Sequence, residues 1–299
     1  MERSATLAAI GPPARGRWRL YAQLTKPRVV ALMMFTVLVG MLLATPTAPP
    51  WSVLLFGTLG VGLVAGGAAA LNHLVDRRID ALMARTRARP LPRGVLGGLQ
   101  VLLFAAALAM AGVAVLWWFT NPLCALLTLA SLVGYAGIYS VLLKHSTPQN
   151  IVIGGAAGAA PPLLGWVAVT GQVDPGAWLL FLIILVWTPP HFWALAIHRR
   201  EDYAKADVPM LPVTHGVAFT QRRILQYTVV LVAITVLPWL IGMSGWIYLA
   251  GALLLGAGYL QQAHALLRDS GQAMPAFRFS IAYLFGLFAA LLADHYLLA

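Results

Sequence analysis

Apolar residues in this chain run in long blocks separated by short polar stretches, and within the blocks apolar and polar positions do not alternate. The stretches 101–118 and 224–241 are examples. In hydrocarbon every backbone N–H and C=O must be bonded internally, which leaves helices and closed barrels as the only spanning structures. Barrel strands require alternation. The pattern therefore predicts an all-α integral membrane protein, each helix needing about 20 apolar residues to cross. About nine spans are predicted, at 29–45, 51–72, 99–119, 123–142, 151–170, 177–197, 225–243, 245–266 and 279–297. Asn121-Pro122 and Asp174-Pro175 mark two of the breaks.

Composition agrees. The chain is 60% hydrophobic and only 10% charged, against roughly a quarter charged in a soluble domain. Its single cysteine, Cys124, lies within an apolar block, so one chain can form neither a disulfide nor a cysteine metal site. The basic stretch at Arg15, Arg17 and Arg19 followed by an apolar run superficially resembles a signal peptide. No clear cleavage site precedes Pro46, however, and the run reads as the first span.

Charge placement orients the spans. All 20 Lys and Arg fall within 1–28, 73–98, 143–150, 198–224 and 267–278, while the opposite connections hold Asp174 and no basic residue. The positive-inside rule makes the basic segments cytoplasmic, the N-terminus included. The number of spans is then odd, with Asp294 and His295 on the far side. The net charge of +11 reports topology and contact with anionic lipid rather than nucleic acid. The expected organisation is a cytoplasmic tail over 1–28, disordered around Pro12, Pro13 and Gly16, and one transmembrane domain over 29–299.

Two basic-side loops carry candidate chemistry. At the first, Asn72, Asp76 and Asp80 are spaced four apart, so a continuing helix stacks two carboxylates and an amide oxygen on one face. That hard-oxygen set suits Mg²⁺, which keeps waters and shares its shell with substrate phosphates. Arg85, Thr86, Arg87, Arg89 and Arg93 follow, and arginines beside carboxylates fit a Mg²⁺–diphosphate. The plainer alternative is a juxtamembrane loop whose acids form surface pairs with Arg77 or Arg87.

At the second, Trp187-Thr188-Pro189-Pro190-His191-Phe192-Trp193 leads through His198 and Arg199 to Glu201, Asp202, Tyr203 and Lys205. Tandem prolines remove backbone donors, and a break in a span is tolerated where it is buried in protein or lines a cavity. The helix is therefore expected to border an internal pocket. Asp202 offers a second metal group, with Arg199 and Lys205 as phosphate partners. Here too a solvated charged face and a structural core histidine are the bland alternatives.

These residues carry a resemblance. Leu24-Thr25-Lys26-Pro27-Arg28, the Asn72–Asp76–Asp80 block with Met83, Arg85, Thr86 and Arg89-Pro90-Leu91, and Leu143-Lys144 with Thr147-Pro148 and Asn150 through Gly155 belong to it. So do Ala157 through Trp166, Pro189-Pro190-His191-Phe192-Trp193, and Asp202-Tyr203 through Val208-Pro209-Met210-Leu211-Pro212. From about Tyr21 onward the chain resembles the membrane-embedded UbiA-type prenyltransferases, and within them the branch that farnesylates protohaem.

The resemblance implies a nine-helix bundle around a central cavity, in the inner membrane of a bacterium. It implies Mg²⁺, farnesyl diphosphate as donor and haem B as acceptor, giving haem O for terminal oxidases. Metal ligation falls to Asn72, Asp76, Asp80 and Asp202, which are also the catalytic residues. Diphosphate binding falls to Arg85, Arg89, Lys26, Lys144 and Lys205. Trp187, Phe192, Trp193 and Tyr203 are candidates for cation–π contact with the allylic cation. Haem contact falls to His191 first, as axial ligand or propionate partner, then His73 and His198. Haem A synthase or oxidase assembly proteins are the implied partners. The chain departs from the broader pattern at His73, where many members carry an acid, and at Asp207, five residues beyond Asp202, which leaves a double-aspartate second site in question. Two other functions share these features: prenylation of an aromatic quinone precursor, and membrane transport.

Overall fold

A computed structural model describes residues 14–83, 86–143 and 146–297, and it is all-helical over them. The long helices stand where the apolar blocks predict spans. They are α2 (Pro27–Leu43), α3 (Trp51–Val75), α5 (Gly98–Phe119), α6 (Pro122–Val133), α7 (Asn150–Thr170), α8 (Pro175–His198), α10 (Val217–Ile234), α11 (Trp246–Arg268) and α12 (Ala273–Leu297). Short helices precede or join them: α1 (Ala14–Leu24), α4 (Arg77–Leu82) and α9 (Arg200–Lys205). Seven of the resulting segments are long and apolar enough to cross a membrane, and α1 with α2 make an eighth across a bend of 53°. Helix α11 falls short on apolarity because Gln261, Gln262 and His264 interrupt its last turns. The chain is thus a multi-pass helical membrane protein.

Each long helix packs on the next, and α12 returns to pack on α2, so the bundle closes into a ring. Contacts between α2 and α7 and between α8 and α12 pinch the ring across its middle. Helices α7 and α8 are consequently 67% buried over their apolar windows, whereas α6 with its extension is 17% buried and faces lipid. Between apolar helices in lipid there is no hydrophobic gain to be had, and close packing of small residues takes its place. The α2–α7 contact shows how close. A Cβ on Gly40 would fall 2.0 Å from the Pro162 carbonyl oxygen, and one on Gly165 would fall 2.1 Å from that of Val37.

Polar groups finish the ring at the end opposite the basic loops. Asp294 of α12 accepts from the backbone N–H groups of Gly245 and Tyr248, capping the start of α11. The Nε2 of His295 lies 3.0 Å from the Thr45 carbonyl oxygen, and the Tyr296 hydroxyl donates to the Leu42 carbonyl at 2.9 Å. The last helix is thereby fastened to the end of α2.

Three local features shape the bundle. Residues 14–24 form a helix rather than an unstructured tail, because Leu20, Tyr21 and Leu24 dock on an apolar cluster with Leu91, Leu96 and Phe104, Tyr21 and Phe104 meeting at 4.9 Å. Helix α8 runs unbroken through Pro189 and Pro190, both buried in the bundle, the surroundings in which such missing backbone bonds are tolerated. Beyond α6 the chain winds as a π-helix over Gly134–Leu143.

Candidate active site

The site is built around the lower end of α3. Asp76 ends α3 and begins α4, and helical hydrogen bonding passes through it, Asp76 N–H donating to Asn72 O at 2.9 Å and Asp80 N–H to Asp76 O at 2.8 Å. Asn72, Asp76 and Asp80 therefore share one stripe, as their spacing predicts. All three are buried, at 4%, 3% and 4% exposure. Buried carboxylates require nearby positive charge or hydrogen-bond donors, and the structure provides both.

Asn72 is the hub. Its Nδ2 donates to Asp76 Oδ2 at 2.9 Å and to the Ser140 hydroxyl at 3.1 Å, and its Oδ1 accepts from Lys26 Nζ at 2.6 Å. Lys26 reaches it from the elbow between α1 and α2, where its backbone takes the left-handed conformation with φ 49°. Ser140 arrives because the π-helix widens the last turns of the α6 segment, and its hydroxyl donates to Tyr135 O at 2.9 Å, five residues back. π-Helical turns within α-helices are frequently found at functional sites. Nearby, Gly154 of α7 makes room for the Tyr139 ring, which a Cβ would meet at 2.1 Å.

Asp80 is held by Arg89, Nη1 to Oδ2 2.7 Å, and its carbonyl accepts from the Thr86 hydroxyl at 2.9 Å. The loop after α4 thus folds back on the helix it follows. His73 is buried at 3% exposure, its Nδ1 3.8 Å from the same Asp80 oxygen, and neither ring nitrogen has a hydrogen-bond partner among the described residues.

The second loop is arranged differently. Asp202 lies on α9 and is paired with Arg199 at 3.7 Å, both about a third exposed at 32% and 34%. Lys205 and His198 are exposed, and Asp207 holds a left-handed backbone with φ 51°. No group of three His, Cys, Asp or Glu side chains capable of holding a metal exists among the described residues. Asp202 therefore does not close with Asp76 and Asp80 into a ready-made carboxylate cage. Arg85 and Lys144 lie outside the described residues.

His191 of α8 belongs to a third cluster, buried at 8% exposure and stacked on Trp187. The three candidate histidines accordingly occupy separate surroundings. Of the aromatic candidates, Trp187 lies against His191, Trp193 meets Tyr227 edge-on at 5.2 Å, and Phe192 is 41% exposed.

The buried hard oxygen donors of Asn72, Asp76 and Asp80, with the half-buried cations Lys26 and Arg89 alongside, thus form an array that suits an anionic phosphate carrying a divalent metal. The model of the UbiA prenyltransferase family matches residues 33–292. The chain belongs to the UbiA prenyltransferase family. UbiA membership makes it a membrane prenyltransferase and sets the transport reading aside. The chain is 62% identical over 294 residues to protoheme IX farnesyltransferase 1 of Pseudomonas putida strain W619, covering 98% of this chain and 99% of that protein. It is 63% identical over 285 residues to protoheme IX farnesyltransferase of Azotobacter vinelandii, covering 95% of each.

Solved structures share the UbiA fold at low identity. A digeranylgeranylglyceryl phosphate synthase superposes with a TM-score of 0.79 at 19% identity, over 94% of this chain and 99% of the other. A UbiA homologue from Archaeoglobus fulgidus, bound to GPP and Mg²⁺, superposes with a TM-score of 0.60 at 16% identity, over 91% and 99%.

Ser140, which meets Asn72, and Ser280 and Phe277, which lie against His191 from α12, were not singled out in the sequence. The only signal for Ser140 and Ser280 was a lone hydroxyl in an apolar block.

Proposed function

We propose that this protein transfers the farnesyl group of farnesyl diphosphate to a vinyl group of haem B, making haem O for a terminal oxidase. The buried Asn72–Asp76–Asp80 stripe flanked by Lys26 and Arg89 carries the prenyl-transfer part of this reading. The acceptor rests on the identity to protoheme IX farnesyltransferases along nearly the whole chain. The enzyme has about nine spans and lies in the bacterial inner membrane with its basic loops in the cytoplasm, since all 20 Lys and Arg fall at one side of the spans.

The donor set fits Mg²⁺: the Asn72 amide oxygen and the Asp76 and Asp80 carboxylates would hold it, with Asp202 brought up from the second loop when diphosphate is present. A metal held there would neutralise charge on the diphosphate. The chain's own residues do the rest. Lys26 and Arg89, with Arg85, Lys144 and Lys205, grip phosphate oxygens, and their fixed positive charge favours the departing diphosphate as its bond to the farnesyl carbon breaks. The vinyl terminus bonds to that carbon, leaving a cation next to the porphyrin ring. Water adds to the cation, a proton leaves, and a hydroxyethylfarnesyl side chain results. The chemistry requires that stray water be kept from the allylic carbon until the new bond is made.

Purified protein given haem B, farnesyl diphosphate and Mg²⁺ should yield haem carrying the mass of a farnesyl group plus water, and EDTA should abolish it. Prenylation of a hydroxybenzoate instead of haem would keep the donor site and overturn the acceptor.

A further inference from the structure

Helices α1 and α2 meet at a bend of 53°. The bend opens a cleft lined by Trp18, Arg19, Gln23, Lys26, Arg28 and Val29. Five of these side chains are exposed, and Lys26 lies half-buried behind them with its Nζ on Asn72 Oδ1.

Charge in the cleft is of one sign. From Gly16 to Val75 the chain holds no Asp or Glu. Among the described residues no carboxylate pairs with Arg19 or Arg28. Arg19 instead holds its guanidinium carbon 5.6 Å from the centre of the Trp18 ring. Cations without a carboxylate suit an anion that carries no metal. Farnesyl diphosphate with its Mg²⁺ belongs rather to the buried Asn72–Asp76–Asp80 stripe.

The tryptophans point to the bilayer as the source of that anion. Trp51, Trp117, Trp118, Trp178 and Trp246 are exposed near helix ends opposite the basic loops, where such rings settle among lipid head groups. Trp18 alone is exposed at the basic end, at 63%. Basic helices that carry tryptophan lie in the interface, and cations beside a span attract anionic lipid. Val29, exposed next to Arg28, opens the apolar run of α2. Ring and cations thus stand at head-group height, with apolar surface on the acyl-chain side.

We infer that this cleft binds the phosphate of an anionic phospholipid. Arg19 belongs to α1 and Arg28 to α2, so the lipid bridges the elbow between them. It thereby steadies the left-handed backbone at Lys26 that sets the ammonium group on Asn72. The donor site accordingly works faster beside anionic lipid. This effect on rate rests on the farnesyl-transfer reading given above, whereas lipid binding stands apart from it.

The test titrates phosphatidylglycerol and phosphatidylcholine separately onto the purified full-length protein and counts bound lipid by native mass spectrometry. Farnesylation rates are measured in parallel in phosphatidylcholine nanodiscs with and without phosphatidylglycerol. The wild type should bind the first phosphatidylglycerol about tenfold more tightly than phosphatidylcholine, and should turn over several-fold faster with it. Arg19→Gln with Arg28→Gln should lose both preferences. Arg19→Lys with Arg28→Lys should keep them, since phosphate accepts either cation. Arg222→Gln with Arg223→Gln, two exposed cations of α10, should behave as wild type, which separates the cleft from net charge. Thermal melts establish that each variant is folded.

Should Arg19→Gln with Arg28→Gln keep the lipid preference, the cleft is not the site. Should that variant raise KM for farnesyl diphosphate equally in both bilayers, the cleft serves the donor and not a lipid. Should inorganic phosphate displace phosphatidylglycerol and raise the rate in phosphatidylcholine alone, the site takes the free ion. Should lipid bind as expected while the wild-type rate ignores it, the link to Lys26 is overturned. A wild type without turnover in either bilayer overturns the farnesyl-transfer reading and the effect on rate together, and the mass spectra still decide the lipid site.

Discussion

The Nζ of Lys26 lies 2.6 Å from the Oδ1 of Asn72, across 46 residues of sequence. The chain's own ammonium group thus sits on the amide oxygen at the head of the acidic stripe. It is brought there by a backbone elbow that a lysine seldom adopts, φ 49° with a 53° bend between α1 and α2. A lysine at this elbow couples the placement of the first helix, which docks on α3 and the loop after α4, to the electrostatics of the site.

Two substitutions separate the elbow from the charge. Lys26→Asn keeps a residue tolerant of left-handed backbone and removes the ammonium. A hydrogen bond to a charged group is worth about 1.5–3 kcal/mol, so KM for the prenyl diphosphate should rise roughly 10–100-fold in steady-state assays, with the melting temperature nearly unchanged. Lys26→Val removes the charge and strains the elbow as well, and should lower the melting temperature too.

Asp76→Asn keeps shape and the hydrogen bond from Asn72 while removing one negative charge. Turnover should fall at least about 100-fold, as removal of a preorganised electrostatic group typically does, in protein that elutes and melts like wild type. Turnover within a few-fold of wild type would remove Asp76 from the metal set.

Asp202 distinguishes a ligand from a surface acid. Its pair with Arg199 is part-exposed, and such pairs contribute about 0–1 kcal/mol. Asp202→Ala should therefore leave the melting temperature within about a degree or two of wild type. If Asp202 joins the metal with diphosphate bound, the same variant should need far more Mg²⁺ for half-maximal turnover.

Ser140→Ala removes one of the two groups to which the Asn72 amide nitrogen donates. A net loss of about 1 kcal/mol per hydrogen bond predicts a few-fold drop in turnover with little effect on stability, read from initial rates and a thermal melt.

Gly165 has no room for a side chain, since its Cβ would strike the Val37 carbonyl. Overpacking of this kind typically costs about 1–3 kcal/mol or more, and here backbone cannot yield without parting α2 from α7. Gly165→Leu should fail to accumulate as a monodisperse peak in size-exclusion chromatography, whereas Gly171→Ala, in open space but at φ 69°, should cost about 1 kcal/mol.

Much of the spanning architecture is legible in the sequence because lipid imposes a simple demand: long apolar helices, with cations at alternate connections. The Asn72–Asp76–Asp80 stripe is legible for an equally local reason, the four-residue spacing along one helix. What escaped reading depends on partners far away in the chain. Lys26 meets Asn72 only because of a backbone torsion that its side chain does not advertise. Ser140 enters through a π-helix whose residues look like any apolar span. Ser280 acquires meaning only opposite His191, 89 residues earlier. The tandem prolines of α8 remove backbone hydrogen bonds, yet the helix stays whole from Pro175 to His198.

The closed ring has a bearing on how this protein is made. Helices enter the membrane in order of synthesis, and α12 is the last of those described. Until it arrives, α2 and α8 lack the neighbour that each packs against, and His191 has no serine to hold it. The acidic stripe on α3 can be complete well before then. The acidic stripe is thus set early in biogenesis, while the contacts of α12 with α2 and α8 wait for that helix to shut the circle.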